Sequence, residues 1–347
     1  MGTETVSGIA RERVDRWLAE HVAGARPPFE YELIAGGRSN LTYLVQDGAG
    51  RRFVLRRPPL GQVLQSAHDM GREHRIIAAL GPTTVPVPEA LAFCDDEAVN
   101  DAPFYVMAFV SGVVLDDERD AERELDVPAR AAAGRSLVDV LADLHAVDPV
   151  AVGLGDLGRK EGYVERQLRR WQSQFEKSRT RDIPAMQEVH RRLAGHVPPQ
   201  RRTGIVHGDY RLGNCLVGND GAVRAVLDWE LCTLGDPLAD LGWLVAWWVE
   251  PGQSAAHLRR SVPSMAPGFE SHRVLVERYV ERSGADAADL EYYVALAYWK
   301  LACIAEGVHA RYRAGVMGAA TSAEIEAFGE QVRLLADAAL ERTERLA

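Results

Sequence analysis

Two short runs carry residue types able to move a proton and to hold a metal ion: His207-Gly208-Asp209-Tyr210-Arg211-Leu212-Gly213-Asn214 and Leu227-Asp228-Trp229-Glu230. Between them, Asn214 to Val217 and Val223 to Leu227 read as strands flanking Gly218-Asn219-Asp220-Gly221, a hairpin turn signal. A turn near Asp220-Gly221 returns Asn214 and Asp228 to the same end of the hairpin, so that an amide oxygen and a carboxylate face one point. Asp209 lies five residues before Asn214, in the loop feeding that end. Asp and Asn often cap turns, and each alone would be read that way. Three oxygen donors converging suit Mg²⁺ instead, a hard cation that is commonly shared with substrate phosphates.

The elements that must position these residues follow from periodicity. Ile9 to Val22 has helical spacing and is stopped by Gly24 and Pro27-Pro28. Phe29 to Ile34, Leu41 to Gln46 and Arg52 to Arg56 are rich in strand formers and separated by glycine turns, which predicts an antiparallel meander. A helix from about Ala67 to Leu80 and two further strands, Ala90 to Cys94 and Phe104 to Phe109, complete a first lobe of five strands with an inserted helix. Beyond Ser111-Gly112 the pattern is mostly helical: Ala129 to Ala146, Tyr163 to Phe175, Pro184 to Ala194, Phe269 to Arg282 and Leu290 to Arg313. The expected class is α+β, divided into residues 1–110 and 111–347.

Composition excludes several functions. A net charge of −10 would repel a nucleic-acid backbone. The four cysteines form no C-x-x-C and suggest neither a zinc site nor a disulfide framework, which fits a reducing cytoplasm. Met1 to Gly8 lacks an export signal, and Val6 stands where myristoylation needs Ser or Thr. Leu241 to Val249 is about half the length of a membrane-crossing helix. A soluble cytoplasmic protein with a small-molecule partner is expected, its oligomeric state left open. Lys160, Lys177 and Lys300 are the only lysines, so any cation in the first 159 residues must be Arg or His.

The pattern H-G-D-x-x-x-x-N followed by D-W-E resembles the catalytic loop and metal-binding turn of aminoglycoside phosphotransferase-like kinases, relatives of choline kinases and protein kinases. The resemblance runs in order along nearly the whole chain. It implies a bilobal protein-kinase-like fold, Mg²⁺ as cofactor and ATP or GTP as phosphate donor. By it, Asp209 is the catalytic base or hydroxyl-orienting carboxylate, Asn214 and Asp228 hold the metal ions, and His207 braces the loop.

In the first lobe, the strand Phe53-Val54-Leu55-Arg56 puts Arg56 where the family usually has lysine. Arginine still compensates phosphate charge, but with a planar fork. Glu73, Ile76, Ile77 and Leu80 share one helix face, so Glu73 points inward and needs a cation, for which Arg56 is the partner. Arg57 is expected on the opposite, outer face, at the surface. Gly36-Gly37-Arg38-Ser39-Asn40 sits where kinases close a loop over the phosphates, implicating Gly37, Ser39 and Asn40. Resemblance also implies that the hinge Tyr105 to Gly112 reads the nucleobase through the Ala108 carbonyl and the Val110 amide.

Other polar residues read as structural. His145 is expected to pack in the core, Asp236 to cap a helix with Pro237 at its first position, and Asp240 to brace the loop. The Trp243, Trp247, Trp248 and Tyr292, Tyr293, Tyr298, Trp299 groups are expected in the core, the second with the alternative of walling an acceptor pocket.

Only seven residues separate Asp228 from Asp236, too few for a peptide-binding activation segment, so the acceptor is expected to be a small hydroxylated molecule. Val54-Leu55-Arg56-Arg57-Pro58-Pro59, Ser66-Ala67-His68-Asp69 and Arg72-Glu73 resemble the kinase-like domains associated with acyl-CoA dehydrogenases, which implies a hydroxyacyl acceptor. An aminoglycoside antibiotic kinase and a non-catalytic nucleotide-binding relative are the alternatives.

Overall fold

The alternation of apolar and polar residues between Glu30 and Arg57 produces three consecutive antiparallel strands. A computed structural model describes residues 6–35, 40–60, 69–316 and 321–346, in two units: residues 1–112 with 224–230, and residues 113–223 with 231–347. Gly37 and Ser39, like the Ser66 to His68 stretch, lie outside the described residues.

The first unit holds α1 (Arg11–His21), β1 (Glu30–Ala35), β2 (Leu41–Gln46), β3 (Arg52–Arg57), α2 (Met70–Leu80), β4 (Ala90–Cys94), α3 (Glu97–Asn100) and β5 (Phe104–Ala108). The five strands form one antiparallel sheet in the order β1-β2-β3-β5-β4. Period-two alternation sends β3 side chains to two faces. Phe53 and Leu55 pack with Val14, Trp17 and Leu18 of α1 in a buried cluster. Arg56, opposite Thr42 on β2 and Tyr105 on β5, takes the other face.

One expectation is corrected here. Arg57 follows Phe53 and Leu55 onto the face that α1 covers, so it is buried at 5% exposure rather than at the surface. Its guanidinium donates to the carbonyls of Gly8, Asn100 and Pro58. Helix α2 spans Met70 to Leu80, with Asp69 in an extended backbone and its side chain accepting the Arg72 N–H at 2.9 Å, while the expected start near Ala67 lies outside the described residues. Its inward face is buried as the spacing predicts, Glu73, Ile76, Ile77 and Leu80 included. Each of the two isoleucines contributes about 1.5–3 kcal/mol by leaving water.

The second unit contains β6 (Val113–Val114), α4 (Glu118–Glu124), α5 (Val127–Ala146), α6 (Tyr163–Ser178), α7 (Pro184–Gly195), β7 (Gly204–Val206), β8 (Cys215–Val217), the start of β9 (Val223–Val226), β10 (Thr233–Gly235), α8 (Leu238–Ala246), α9 (His272–Ser283), α10 (Leu290–Arg313) and α11 (Ser322–Thr343). The strands are short: β7 pairs with β10 and β6 with β8. The hairpin after β8 closes with the Gly218 N–H on the Ala222 carbonyl at 2.9 Å, the turn that its Gly-Asn-Asp-Gly sequence predicts. Asn214 ends a 3-10 turn, Leu212–Asn214, one residue before β8 rather than in the strand.

Helix α10 is buried on several sides, with α6, α7, α8 and α11 as neighbours. Gly242 makes its contact with α8 possible, since a Cβ there would lie 2.6 Å from Tyr293 backbone and side-chain atoms. Helix α9 begins at His272, after the expected Phe269, because Ser271 caps it.

Candidate functional site

The sequence-predicted residues fall into two constellations, one in each unit. In the first, β3 presents Arg56 toward α2, whose inward face presents Glu73. Arg56 Nε lies 3.0 Å from Glu73 Oε2, and its Nη2 donates to Asp228 Oδ1 at 2.7 Å. Glu73 is almost fully buried and accepts further hydrogen bonds from Asn40 Nδ2 at 2.9 Å and Tyr105 OH at 3.1 Å. Burial pushes its pKa up, against the pull of the Arg56 charge. Burial acts to lower the pKa of Arg56, but the carboxylates of Glu73 and Asp228 outweigh it and hold the guanidinium charged.

Asp228 has a left-handed backbone, φ 65°, which Asp tolerates better than most residues. Its carboxylate is partly exposed. Ala108 ends β5 and its N–H bonds to the Glu89 carbonyl at 2.8 Å; Val110 lies two residues beyond the strand.

The second constellation is the loop leaving β7. Gly208 has φ 86°, and a Cβ there would lie 3.0 Å from Leu231, so the tight bend before Asp209 requires glycine. Asp209 Oδ2 accepts Asn214 Nδ2 at 2.7 Å, and the same amide group donates to the Asp209 carbonyl at 2.7 Å. Asn214 therefore fastens the loop with its nitrogen.

Asp240, fully buried on α8, accepts the N–H groups of His207 at 2.6 Å and Gly208 at 2.8 Å, and lies 3.3 Å from His145 Nε2. Burial acts to raise its pKa, yet the hydrogen bonds from His145 and the Gly208 amide leave it below the usual carboxylate value. His145 is a core histidine, its Nδ1 2.8 Å from Tyr279 OH. His207 is buried, its Nδ1 accepting the Asp209 N–H at 3.2 Å. Asp236 accepts the Leu238 N–H at 3.0 Å, and Pro237 already has helical dihedrals before α8.

Sequence reading missed two participants. Trp243 is not only a core residue: its indole Nε1–H donates to Asp209 Oδ1 at 2.8 Å. Lys300 on α10 donates to the Gly208 carbonyl at 2.9 Å and lies 4.0 Å from the Trp243 ring centroid. A lone lysine inside an otherwise apolar helical stretch was the available signal. Arg211, with Nε 3.4 Å from Asp209 Oδ1, adds positive charge beside the same carboxylate. The aromatic group Tyr292, Tyr293, Tyr298 and Trp299 is buried, and Tyr293 OH bonds to Asp236 Oδ2 at 2.7 Å.

Among the described residues there is no cluster of three His, Cys, Asp or Glu side chains able to enclose a metal by themselves. Each unit separately offers a hard oxygen donor of the kind that Mg²⁺ takes beside phosphate and water, the Asn214 amide in one and the Asp228 carboxylate in the other.

The pattern of the phosphotransferase enzyme family (APH) matches residues 30–261, spanning both constellations. The chain belongs to this family. Acyl-CoA dehydrogenase family member 11 of Gallus gallus is 36% identical over 93% of this chain and 41% of that protein. The chain spans less than half the length of the curated relatives it matches. A crystal structure described as a putative aminoglycoside phosphotransferase from Ralstonia eutropha superimposes with a TM-score of 0.81 at 34% identity, covering 96% of this chain and 98% of that one. Choline kinase from Cryptosporidium parvum gives 0.67 at 11% identity, covering 96% of each chain. A spectinomycin phosphotransferase in complex with ADP and spectinomycin gives 0.62 at 13%, covering 96% and 99%. The chain is thus a phosphotransferase by family, with a five-stranded sheet, a helical C-terminal part and a kinase-like fold. No helix among the described residues is long and apolar enough to cross a membrane.

Proposed function

We propose that the chain is a Mg²⁺-dependent kinase that moves the γ-phosphate of ATP or GTP to a hydroxyl of a small molecule, a hydroxyacyl metabolite in the reading favoured here. The observation that carries the reaction class is the state of Asp209. Both its oxygens accept hydrogen bonds, from Asn214 and Trp243, so the carboxylate is held in one orientation. A carboxylate held this way accepts the proton of an incoming hydroxyl without first having to reorganise.

Arg56, oriented by Glu73, offers its remaining N–H capacity to nucleotide phosphates. Asn214 and Asp228 hold the metal, which when bound neutralises charge developing on the phosphoryl oxygens. Asn40 acts by steadying Glu73 and Asp240 by steadying the loop amides. His207 braces the loop through Asp209 N–H, and the main chain at Ala108 and Val110 reads the nucleobase. The ADP complex of a structural neighbour supports a nucleotide donor.

Identity of 36% to an acyl-CoA dehydrogenase family member supports the hydroxyacyl reading, and identity of 34% to a structure described as a putative aminoglycoside phosphotransferase keeps the antibiotic as the alternative to be tested. The test is nucleoside diphosphate release with MgATP or MgGTP against hydroxyacyl compounds and aminoglycosides in parallel. Turnover with hydroxyacyl acceptors is expected. Turnover with aminoglycosides alone would move the chain to the antibiotic class, and phosphoryl transfer to none would leave a nucleotide-binding relative.

A further inference from the structure

We propose that Lys300, acting through Trp243 and the Gly208 carbonyl, is the positioning residue for the Asp209 carboxylate. The inference rests on Asp209 being the base of the proposed transfer. Three elements distant in sequence meet here: the loop after β7, helix α8 and the middle of α10. Trp243 Nε1–H donates to Asp209 Oδ1 at 2.8 Å. The face of the same indole is held by the Lys300 ammonium, 4.0 Å from the ring centroid, with Trp171 of α6 beyond it at 5.6 Å. That ammonium also donates to the Gly208 carbonyl at 2.9 Å, in the peptide that links Gly208 to Asp209. One cation therefore grips both the backbone leading into Asp209 and the ring whose N–H fixes its carboxylate. A shift of a few tenths of an ångström in either would misalign a proton acceptor.

The arrangement depends on the ammonium being charged, since neutral lysine has no cation–π attraction. The charged groups around it are Asp209 of the loop and Asp240 of α8, which favour the ammonium, and Arg170 of α6, which opposes it. Burial prevails and lowers the Lys300 pKa to about 8. Raising the pH through that value should release the indole.

The Trp243 indole N–H reports this directly, whether or not the kinase reading holds. Proton–nitrogen spectra of the full chain contain seven tryptophan indole signals, and loss of one in Trp243→Phe assigns the signal. Followed from about pH 7 to about pH 10, it should shift in one step centred near pH 8. In Lys300→Met that step should vanish and exchange of the N–H should quicken at least tenfold. Lys300→Arg, which stays charged throughout, should keep the signal protected with no step. Absence of a step in the wild type, or its survival in either variant, overturns the proposal. If Lys300→Met does not fold, Lys300→Arg decides. Once an acceptor is found, kcat should fall above about pH 8 in the wild type and stay level in Lys300→Arg, with the nucleotide KM unchanged. A chain that turns over no acceptor but shows the step keeps the positioning and loses the kinase reading.

Discussion

Arg56 lies 3.0 Å from Glu73, a strand arginine paired with a helix carboxylate. The pair is nearly dry, with 14% and 2% of the side chains exposed, so neither group can lose its partner cheaply. Asp228 supplies a second carboxylate on the same guanidinium, and Tyr105 and Asn40 donate further hydrogen bonds to Glu73.

Arg56→Ala and Glu73→Ala should each weaken nucleotide binding, and less than additively when combined. A double-mutant cycle on nucleotide affinity should give a coupling energy above about 0.5 kcal/mol, beyond the scatter of independent sites. Strict additivity would show that the contact carries no binding energy.

Arg56→Lys separates charge from geometry. Lysine keeps the cation but has one nitrogen, whereas Arg56 engages Glu73 through Nε and Asp228 through Nη2. Nucleotide affinity in this variant should lie closer to Arg56→Ala than to the wild type. Affinity equal to the wild type would mean that the fork is not used.

Asp228→Ala should abolish the dependence of nucleotide affinity on Mg²⁺. Calorimetry with Mg²⁺ and with excess EDTA should differ for the wild type and agree for the variant. Equal affinities in the wild type would remove Asn214 and Asp228 as metal ligands.

Asp209→Asn keeps the size of the side chain and removes the proton acceptor. Nucleotide binding should be nearly unchanged, while phosphoryl transfer falls by about 10² or more, the range a general base commonly supplies. Wild-type turnover in the variant would take Asp209 out of the chemistry.

What the sequence reveals and conceals here follows from the range of the interactions. Glu73 was legible as an inward acid because helical spacing sets its face without any tertiary knowledge. Arg57 was misjudged because alternation tells which face a strand residue takes, but not whether another element covers that face; chain more than 40 residues away does so, at the Gly8 and Asn100 carbonyls. Lys300 and Trp243 stayed hidden because their meeting depends on the packing of α8 against α10, with its close approach at Gly242 and Tyr293. Helix α11 was missed although its start carried a local signal: Thr321 and Glu324 form a capping box. The loop bearing Asp209 and Asn214 was readable because its residues sit within eight consecutive positions.

Asp240 provides the pH test of the bracing beneath that loop. Its carboxylate accepts two loop amides and faces His145, and its folded pKa is lowered. A carboxyl whose folded pKa is depressed contributes stability that is present above its unfolded pKa, about 3.9, and lost as the pH falls through the folded value. Asp240→Asn places an amide NH₂ where one oxygen now accepts an N–H, leaving a buried donor without an acceptor at a cost of about 1–3 kcal/mol. Urea unfolding near neutral pH should therefore show the variant less stable by about that much, and the gap should narrow as the pH is lowered through about 4 and below. A gap that stays constant over this range would mean that the loop amides at His207 and Gly208 are not held by an ionised Asp240, and that their geometry depends instead on the pairing of β7 with β10.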